Sequence, residues 1–283
     1  MYSAHFHSNV RDYLERARGF LLQDRVFNMH QLRISTRSVE QVSKGDAGDV
    51  LWGITVETSC EVVAAAMFTK RHALFVSPHA AAATSALVAA IPKEVSILDV
   101  VGQSDAAWSV ARAVGEYELF IEGSLYALRD APRAVQTTVQ SVQADQSHIQ
   151  TIVDWNIAFI AELKMKEPLA DVAKHAKYRV DNGQYFLAYD GGVPVGMAGG
   201  TYVGDGIGSI GPVYTVPAHR GSGQKIGQAV TAFACNHLRA AGASTIVLMA
   251  DQTNPVSNAA YQKIGFVNQG QFHHLQQVGQ PKR

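Results

Sequence analysis

The sequence predicts an α/β (α+β) fold arranged as two domains. With 283 residues, 47% of them hydrophobic, the chain has enough apolar material for one large core or two ordinary ones. The second half alternates strand-like and helix-like patterns, and the first half repeats that order in blurred form. This repetition favours a tandem duplication, although any α/β chain can show such an order.

The second half predicts a hairpin, a β-α-β unit and a closing pair of strands. Two β-rich runs flank the turn at Asp190-Gly191, and Gly242 ends a segment whose apolar residues recur at helical spacing. The next run is apolar on both faces, as a strand covered on both sides requires. The predicted strands are 185–189, 195–202, 209–216, 245–250, one from 266, and 272–275 as its partner; the predicted helices are 226–238 and 257–264.

The first half predicts the same succession. Its strands are 52–56 and 62–69, forming a hairpin, then 73–77 and 96–101, and its helices are 80–90 and 105–115. A polar stretch at 130–145 interrupts the periodicity and marks the expected join. We therefore predict domains at 1–133 and 138–283.

Composition excludes several classes of protein. Lys plus Arg and Asp plus Glu are each 24, so the formal net charge is zero, which argues against binding to nucleic acid or to a membrane surface. Cys60 and Cys235 are too far apart for a CxxC motif, and no segment is long and apolar enough to span a bilayer. We expect a cytoplasmic protein. The pairs His5/His7 and His273/His274 lack a third spaced ligand, so we expect exposed histidines and no metal site.

The segment 211–227, GPVYTVPAHRGSGQKIG, is the most informative one. A strand leads into a loop with glycines, an arginine and a lysine, and the loop opens a helix. Glycines allow close approach to a ligand and free amides at a helix start bind anions, so the segment predicts a phosphate-bearing ligand. Neither GxxxxGK[ST] nor GxGxxG fits its spacing.

Together with a second motif, this segment resembles the GNAT superfamily of acyl-CoA-dependent N-acetyltransferases. The loop VPAHRGSG is similar to the family's Arg-Gly-x-Gly loop around the pyrophosphate of coenzyme A. The second motif is NPVSNAAYQKIGF at 254–266, in which Ser257 replaces the family's alanine. The resemblance covers 139–277 and implies tandem GNAT-like folds, each with a mixed, mostly antiparallel sheet flanked by helices. It further implies a degenerate first copy without a cofactor loop.

The resemblance implies acetyl-CoA as co-substrate. One departure concerns the family pattern Arg/Gln-x-x-Gly-x-Gly/Ala: counted from Arg220 it puts Lys225 where Gly or Ala belongs, whereas counted from Gln224 it fits through Ala229. We read a small insertion near Gln224 and Lys225, which either weakens cofactor affinity or makes Lys225 a further phosphate contact. The implied cofactor-binding residues are Val213, Tyr214, Thr215, Val216, Arg220, Gly221, Ser222, Gly223, Gln224, Lys225, Ile226, Gly227, Asn254 and Asn258.

The implied reaction is attack of an amine on a thioester, which needs a proton for the departing sulfur and a way to deprotonate the amine. The resemblance gives Tyr261 the role of proton donor. Glu162 lies on a helix that resembles the family's acceptor-side helix, where it is a base, an amine-binding carboxylate or only a solvated side chain. Asp251 is either a second candidate for the base or a turn residue. Asn254 caps a helix or binds cofactor. The acceptor is a small amine or a peptide or protein amine. Transfer of another acyl group and a silent acyl-CoA-binding or scaffold protein stay open.

Overall fold

The computed structural model describes residues 2–59, 61–163 and 169–279, which form two compact units. The first unit takes in the described residues up to Leu125 together with 250–253 and 269–279. The second takes in 126–249 and 254–268, apart from the undescribed positions. The predicted division at 1–133 and 138–283 stays a prediction.

Strands and helices alternate along the whole chain. The strands are β1 (Ser3–His7), β2 (Val50–Thr58), β3 (Glu61–Thr69), β4 (Ala73–Val76), β5 (Asp99–Gln103), β6 (Tyr117–Leu128), β7 (Gln140–Gln143), β8 (Tyr185–Asp190), β9 (Val193–Gly204), β10 (Ile207–Thr215), β11 (Thr245–Asp251) and β12 (Val267–Gln277). The helices are α1 (Val10–Leu21), α2 (Met29–Ser43), α3 (Ala81–Ala89), α4 (Ser104–Val114), α5 (Ile149–Glu162), α6 (Leu169–Asp181), α7 (Ile226–Ala240) and α8 (Pro255–Lys263).

The first unit has the strand order β1-β2-β3-β4-β5-β12. Every neighbouring pair in it is antiparallel except β4 and β5, which are parallel and joined through α3. Its core includes the stacked rings of Trp52 and Phe68, whose centroids are 4.8 Å apart, and the buried side chain of Leu87 on α3. The predicted hairpin, crossover and following helix of this half are confirmed.

The second unit has the order β11-β10-β9-β8-β7. Here β10 and β11 are parallel and joined through α7, while the pairs β10/β9, β9/β8 and β8/β7 are antiparallel. The tight turn between β8 and β9 uses Gly191 and Gly192, both with positive φ (54° and 83°), as a two-residue hairpin turn requires. Side chains of Ile152, Leu187 and Met197 pack in its core. The predicted α/β class with mostly antiparallel sheets is confirmed.

Two sequence predictions at the C-terminal end are wrong. Residues 267–277 form one strand rather than a hairpin, because Gly270 adopts a φ of 133° within the strand instead of starting a turn. That strand pairs with β5, with Phe272 opposite Gln103, so its partner lies far away in the sequence. The second wrong prediction is that His273 is exposed. Its place in this pairing buries it, with 6% of its surface exposed, and Ser104 Oγ lies 3.2 Å from its Nδ1.

Some elements have no sequence prediction behind them: β1, α1, α2, β6, β7 and α6. Helix α1 begins at a local signal, since the side-chain oxygen of Asn9 accepts a hydrogen bond from Asp12 N–H. No helix among the described residues is long and apolar enough to cross a membrane.

The packing of α1 on β2 gives a test of the first unit. A Cβ at Gly53 would overlap the ring of Tyr13, which is fully buried and whose hydroxyl donates to Gln31 Oε1 at 2.5 Å. Gly53→Ala should therefore lower the free energy of unfolding by about 1–3 kcal/mol, the usual penalty of overpacking. Chemical denaturation followed by circular dichroism measures the change.

Gly19→Ala is the matched control. Gly19 lies exposed in α1 with nothing within 4 Å of an added Cβ, so the same substitution should raise stability by up to about 1 kcal/mol. A Gly53→Ala protein as stable as the parent would contradict the described packing.

Candidate active site

Strands β10 and β11 separate halfway along their length. Their parallel pairing runs from Ile207/Thr245 to Ile210/Leu248 and ends there, although both strands continue. Pro212 has no N–H to donate, and the pairing of β10 with β9 shifts register at the same place. Directly after the last paired residue of β11, Met249 is 40% exposed. The sheet of the second unit thus opens beyond Ile210.

The backbone of β10 presents hydrogen-bonding groups to this opening. Val216 N–H donates to the carbonyl of Val195 in β9, at 3.0 Å. Because successive residues of a strand face opposite neighbours, Tyr214 also faces β9, whereas Val213 and Thr215 face the opening. The carbonyl of Thr215 fits this assignment, since it accepts from the Arg220 side chain instead of from β9. Within the described parts of the chain, no strand therefore pairs with this edge of β10 beyond Ile210.

The loop after β10 has the backbone conformation that its glycines predict. A short 3-10 turn at Pro217–His219 leads to Gly221 and Gly223, with φ of 72° and 81°. Nothing lies within 4 Å of a Cβ built on either glycine, so backbone conformation rather than close packing requires them. Lys225 also has a left-handed φ of 56°, immediately before α7.

Gln224 fixes this loop to the rest of the unit. Its Nε2 donates to Asp190 Oδ2 at 2.6 Å, and its carbonyl accepts from Thr137 Oγ1 at 2.6 Å. Ser222 Oγ lies 3.3 Å from Gln224 Oε1. Both the side chain and the carbonyl of Gln224 are thus engaged by the protein itself.

The start of α7 has free backbone donors. The first helical hydrogen bond runs from Ala229 N–H to the carbonyl of Lys225, so the amides of Ile226, Gly227 and Gln228 have no partner within the helix. The exposed Lys225 side chain forms no ion pair with any described residue. Free amides, the helix dipole and a lysine together favour an anion at this point.

Arg220 and Glu162 are brought together, which the sequence did not predict. Arg220 Nη2 lies 2.7 Å from Glu162 Oε1, and its Nε donates to the Thr215 carbonyl at 2.8 Å. The guanidinium also lies 5.3 Å from the centroid of the Tyr214 ring. Trp155 contacts Tyr214 as well, with ring centroids 6.0 Å apart, so α5 covers this end of β10.

Helix α8 carries the other predicted residues. Tyr261 packs beside the rings of Tyr126 and Phe266, at 6.5 and 6.1 Å between centroids, and burial raises its pKa to about 12. Its phenol therefore stays protonated at neutral pH. Asn254 caps the helix by accepting from Ser257 N–H at 3.1 Å, and Asn258 Nδ2 donates to the Asn254 carbonyl at 2.7 Å.

Asp251 stabilises the turn that follows β11, which is one of the two roles expected for it. Its carboxylate accepts from the backbone N–H of Thr253 at 2.8 Å and from that residue's hydroxyl at 2.7 Å. Among the described residues, no three His, Cys, Asp or Glu side chains gather where they could hold a metal ion.

Sequence reasoning missed three supporting residues. Thr137 and Asp190 anchor Gln224, and Arg179 on α6 donates to the carbonyl of Gly211 at 2.9 Å, where β10 leaves β11. No local pattern marks them, because each acts on a segment more than 30 residues away along the chain.

Comparison with known sequences identifies most of the second unit. Residues 149–266 match the sequence model of the Acetyltransferase (GNAT) family. These residues form a GNAT domain. The match contains the separating strands, the glycine-rich loop and α8. Comparison with curated proteins gives no significant match.

Solved structures show that the fold extends beyond the GNAT domain. A GCN5-related N-acetyltransferase from Sphaerobacter thermophilus is 16% identical with a TM-score of 0.62, covering 100% of this chain and 97% of its own. A GNAT-family acetyltransferase from Colwellia psychrerythraea is 10% identical with a TM-score of 0.61, covering 97% and 98%. A tandem GNAT protein from the clavulanic acid biosynthesis pathway is 12% identical with a TM-score of 0.55, covering 99% and 100%. The predicted tandem fold is confirmed.

In the described part of the first unit, the two parallel strands do not separate as they do in the GNAT domain. Its parallel strands β4 and β5 stay paired up to Val76 and Gly102, where β4 ends. A Cβ on Gly102 would lie 2.6 Å from the Val76 carbonyl oxygen, so the two strands are in close contact there. His79 occupies the short connection to α3, with its Nδ1 2.7 Å from the Ser77 carbonyl and its Nε2 3.2 Å from Thr84 Oγ1.

Proposed function

We propose that this protein is an N-acetyltransferase that moves an acetyl group from acetyl-CoA to an amine, with both substrates bound at once. The observation that carries the proposal is the unpaired edge of β10 leading directly into a glycine-rich loop and the free amides of α7. An extended chain with amide groups fits the edge, and a diphosphate fits the loop. Coenzyme A carries both groups in this order.

The residues present fit this cofactor. The backbone of Val213 and Thr215 would pair with the extended arm, as a neighbouring strand would. The loop from Gly221 to Gly223 and the amides of Ile226 and Gly227 would hold the diphosphate, with Lys225 neutralising charge. Tyr214, Val216 and Ser222 complete this surface, while Gln224, Asn254 and Asn258 support it through the hydrogen bonds described above. When bound, acetyl-CoA supplies the thioester that the amine attacks.

Tyr261 would serve the departing sulfur. A phenol with a pKa of about 12 stays protonated, whereas a thiol has a pKa of about 8.5, so complete proton transfer from Tyr261 to a thiolate is uphill. Its contribution is therefore a hydrogen bond donated to the negative charge that develops on the departing sulfur.

Glu162 would hold or deprotonate the amine. Glu162 is the last residue of α5, the helix that covers Tyr214. Its carboxylate forms an ion pair with Arg220, which belongs to the proposed cofactor loop. The acceptor is a small amine or a peptide or protein amine. We place the reaction in the cytoplasm, in keeping with two well-separated cysteines and a balanced net charge.

We assign catalysis to residues 138–283 and propose that residues 1–133 are a degenerate GNAT-like domain. In the described part of the first unit, β4 stays paired with β5 up to its last residue, so the two strands do not separate as β10 and β11 do. The connection from β4 to α3 spans only 77–80, against 216–225 before α7. Neither an extended arm nor a diphosphate has a place there.

Acetyl-CoA should raise the melting temperature of the full chain by a few degrees. At a free concentration of 100 Kd a ligand adds about 2.7 kcal/mol to stability, which differential scanning fluorimetry detects readily. Gly227→Asp should abolish the shift, because it places a carboxylate among the amides that hold phosphate. The variant should still fold, since an acidic residue in the first turn suits the helix dipole.

Gly227→Asn is the control for size without charge. A Cβ at Gly227 meets only Thr215 Oγ1, at an ordinary 3.6 Å, so this variant should keep most of the shift. The proposal is wrong if acetyl-CoA does not stabilise the parent protein. If acetyl-CoA stabilises Gly227→Asp as much as the parent, the phosphates do not bind at the start of α7.

Tyr261→Phe should slow acetyl transfer about 10- to 100-fold while leaving acetyl-CoA affinity unchanged. The range corresponds to losing one hydrogen bond to a charged group, about 1.5–3 kcal/mol. A panel of amines is screened for release of free thiol from acetyl-CoA, and the best acceptor is then used with both proteins. Full activity in the variant would rule out the role of Tyr261.

A further inference from the structure

Arg220 occupies part of the surface that the proposed cofactor needs. Its Nε–H donates to the carbonyl of Thr215, one of the two residues of β10 whose backbone faces the opening. An extended ligand arm on this edge would use the same carbonyl as an acceptor. Arg220 and the arm therefore compete for one position, and the arginine must turn away before the arm can pair along the whole edge.

A carboxylate holds Arg220 in that position. Glu162 Oε1 lies 2.7 Å from Arg220 Nη2, with both side chains 44% exposed, and the guanidinium stacks over the ring of Tyr214. Such a half-exposed ion pair is weak, contributing well under what a guanidinium gains from a diphosphate in bidentate contact. A diphosphate at the loop would thus be the preferred partner of Arg220.

We propose that Arg220 is a latch: Glu162 and Thr215 hold it over the cofactor-free site, and the diphosphate of the cofactor draws it away. This inference rests on the proposed function and adds to it a change of partner for Arg220 when the cofactor binds. Release of Arg220 frees the Thr215 carbonyl for the ligand arm and frees the Glu162 carboxylate at the same time. Glu162 thereby becomes more available to an amine when the cofactor binds.

The latch predicts that removing its carboxylate strengthens cofactor binding. Glu162→Gln keeps the shape of the side chain and removes the charge that holds Arg220, so coenzyme A should bind the full chain about 2- to 5-fold more tightly, by isothermal titration calorimetry. Asp154→Asn is the matched control, because Asp154 is an exposed carboxylate on the same helix that is hydrogen-bonded to Gln150. It should change the affinity much less.

A double-mutant cycle shows whether the effect passes through Arg220. In an Arg220→Met background, Glu162→Gln should leave coenzyme A affinity unchanged, since the carboxylate then has no guanidinium to hold. The latch is wrong if Glu162→Gln weakens or does not alter binding in the parent protein, if Asp154→Asn has an equal effect, or if the gain persists without Arg220. Failure of the parent protein to bind coenzyme A at all would instead overturn the cofactor assignment itself.

Discussion

The separation of β10 from β11 after Ile210 and Leu248 is the constraint on which the site depends. A strand inside a sheet has its hydrogen-bonding groups occupied on both sides, so it offers nothing to a ligand. At this point Pro212 cannot donate, Arg179 binds the Gly211 carbonyl, and the two strands diverge. In the free protein, water can solvate the backbone groups of Val213 and the amide of Thr215, while Arg220 binds the Thr215 carbonyl. A ligand with an extended backbone-like arm could hydrogen-bond to this edge as a neighbouring strand would. The glycine-rich loop and the start of α7 lie next to this edge because β10 leads directly into them.

The two units show what this separation contributes. Both contain a parallel β-α-β crossover followed by a further helix, yet β4 and β5 remain paired and Gly102 brings them into close contact. The shorter connection before α3 is filled by His79 and its hydrogen bonds to Ser77 and Thr84. The same order of elements thus supports either a closed sheet or an open one. Local chemistry at the end of one strand decides between them.

Much of this was readable from the sequence because it is encoded locally. The glycine positions with positive φ, the cap at Asn254 and the apolar run of β11 lie within short segments that carry their own signals. Contacts between distant segments were not readable: the pairing of β12 with β5, the anchoring of Gln224 by Thr137 and Asp190, and the ion pair of Glu162 with Arg220. The resemblance to the GNAT superfamily marked Glu162 and Arg220 as candidate functional residues, but only the fold shows that they bind each other.

Amide hydrogen exchange of β10 tests the central claim most directly. In the free protein the amides of Val213 and Thr215 should exchange rapidly, because they face the opening, while the Val216 amide, which donates to Val195, should be protected. Saturating acetyl-CoA should slow exchange at Val213 and Thr215 and leave Val216 little changed. If Val213 and Thr215 are already protected in the free protein, or if acetyl-CoA binds without protecting them, the unpaired edge of β10 is not the cofactor site.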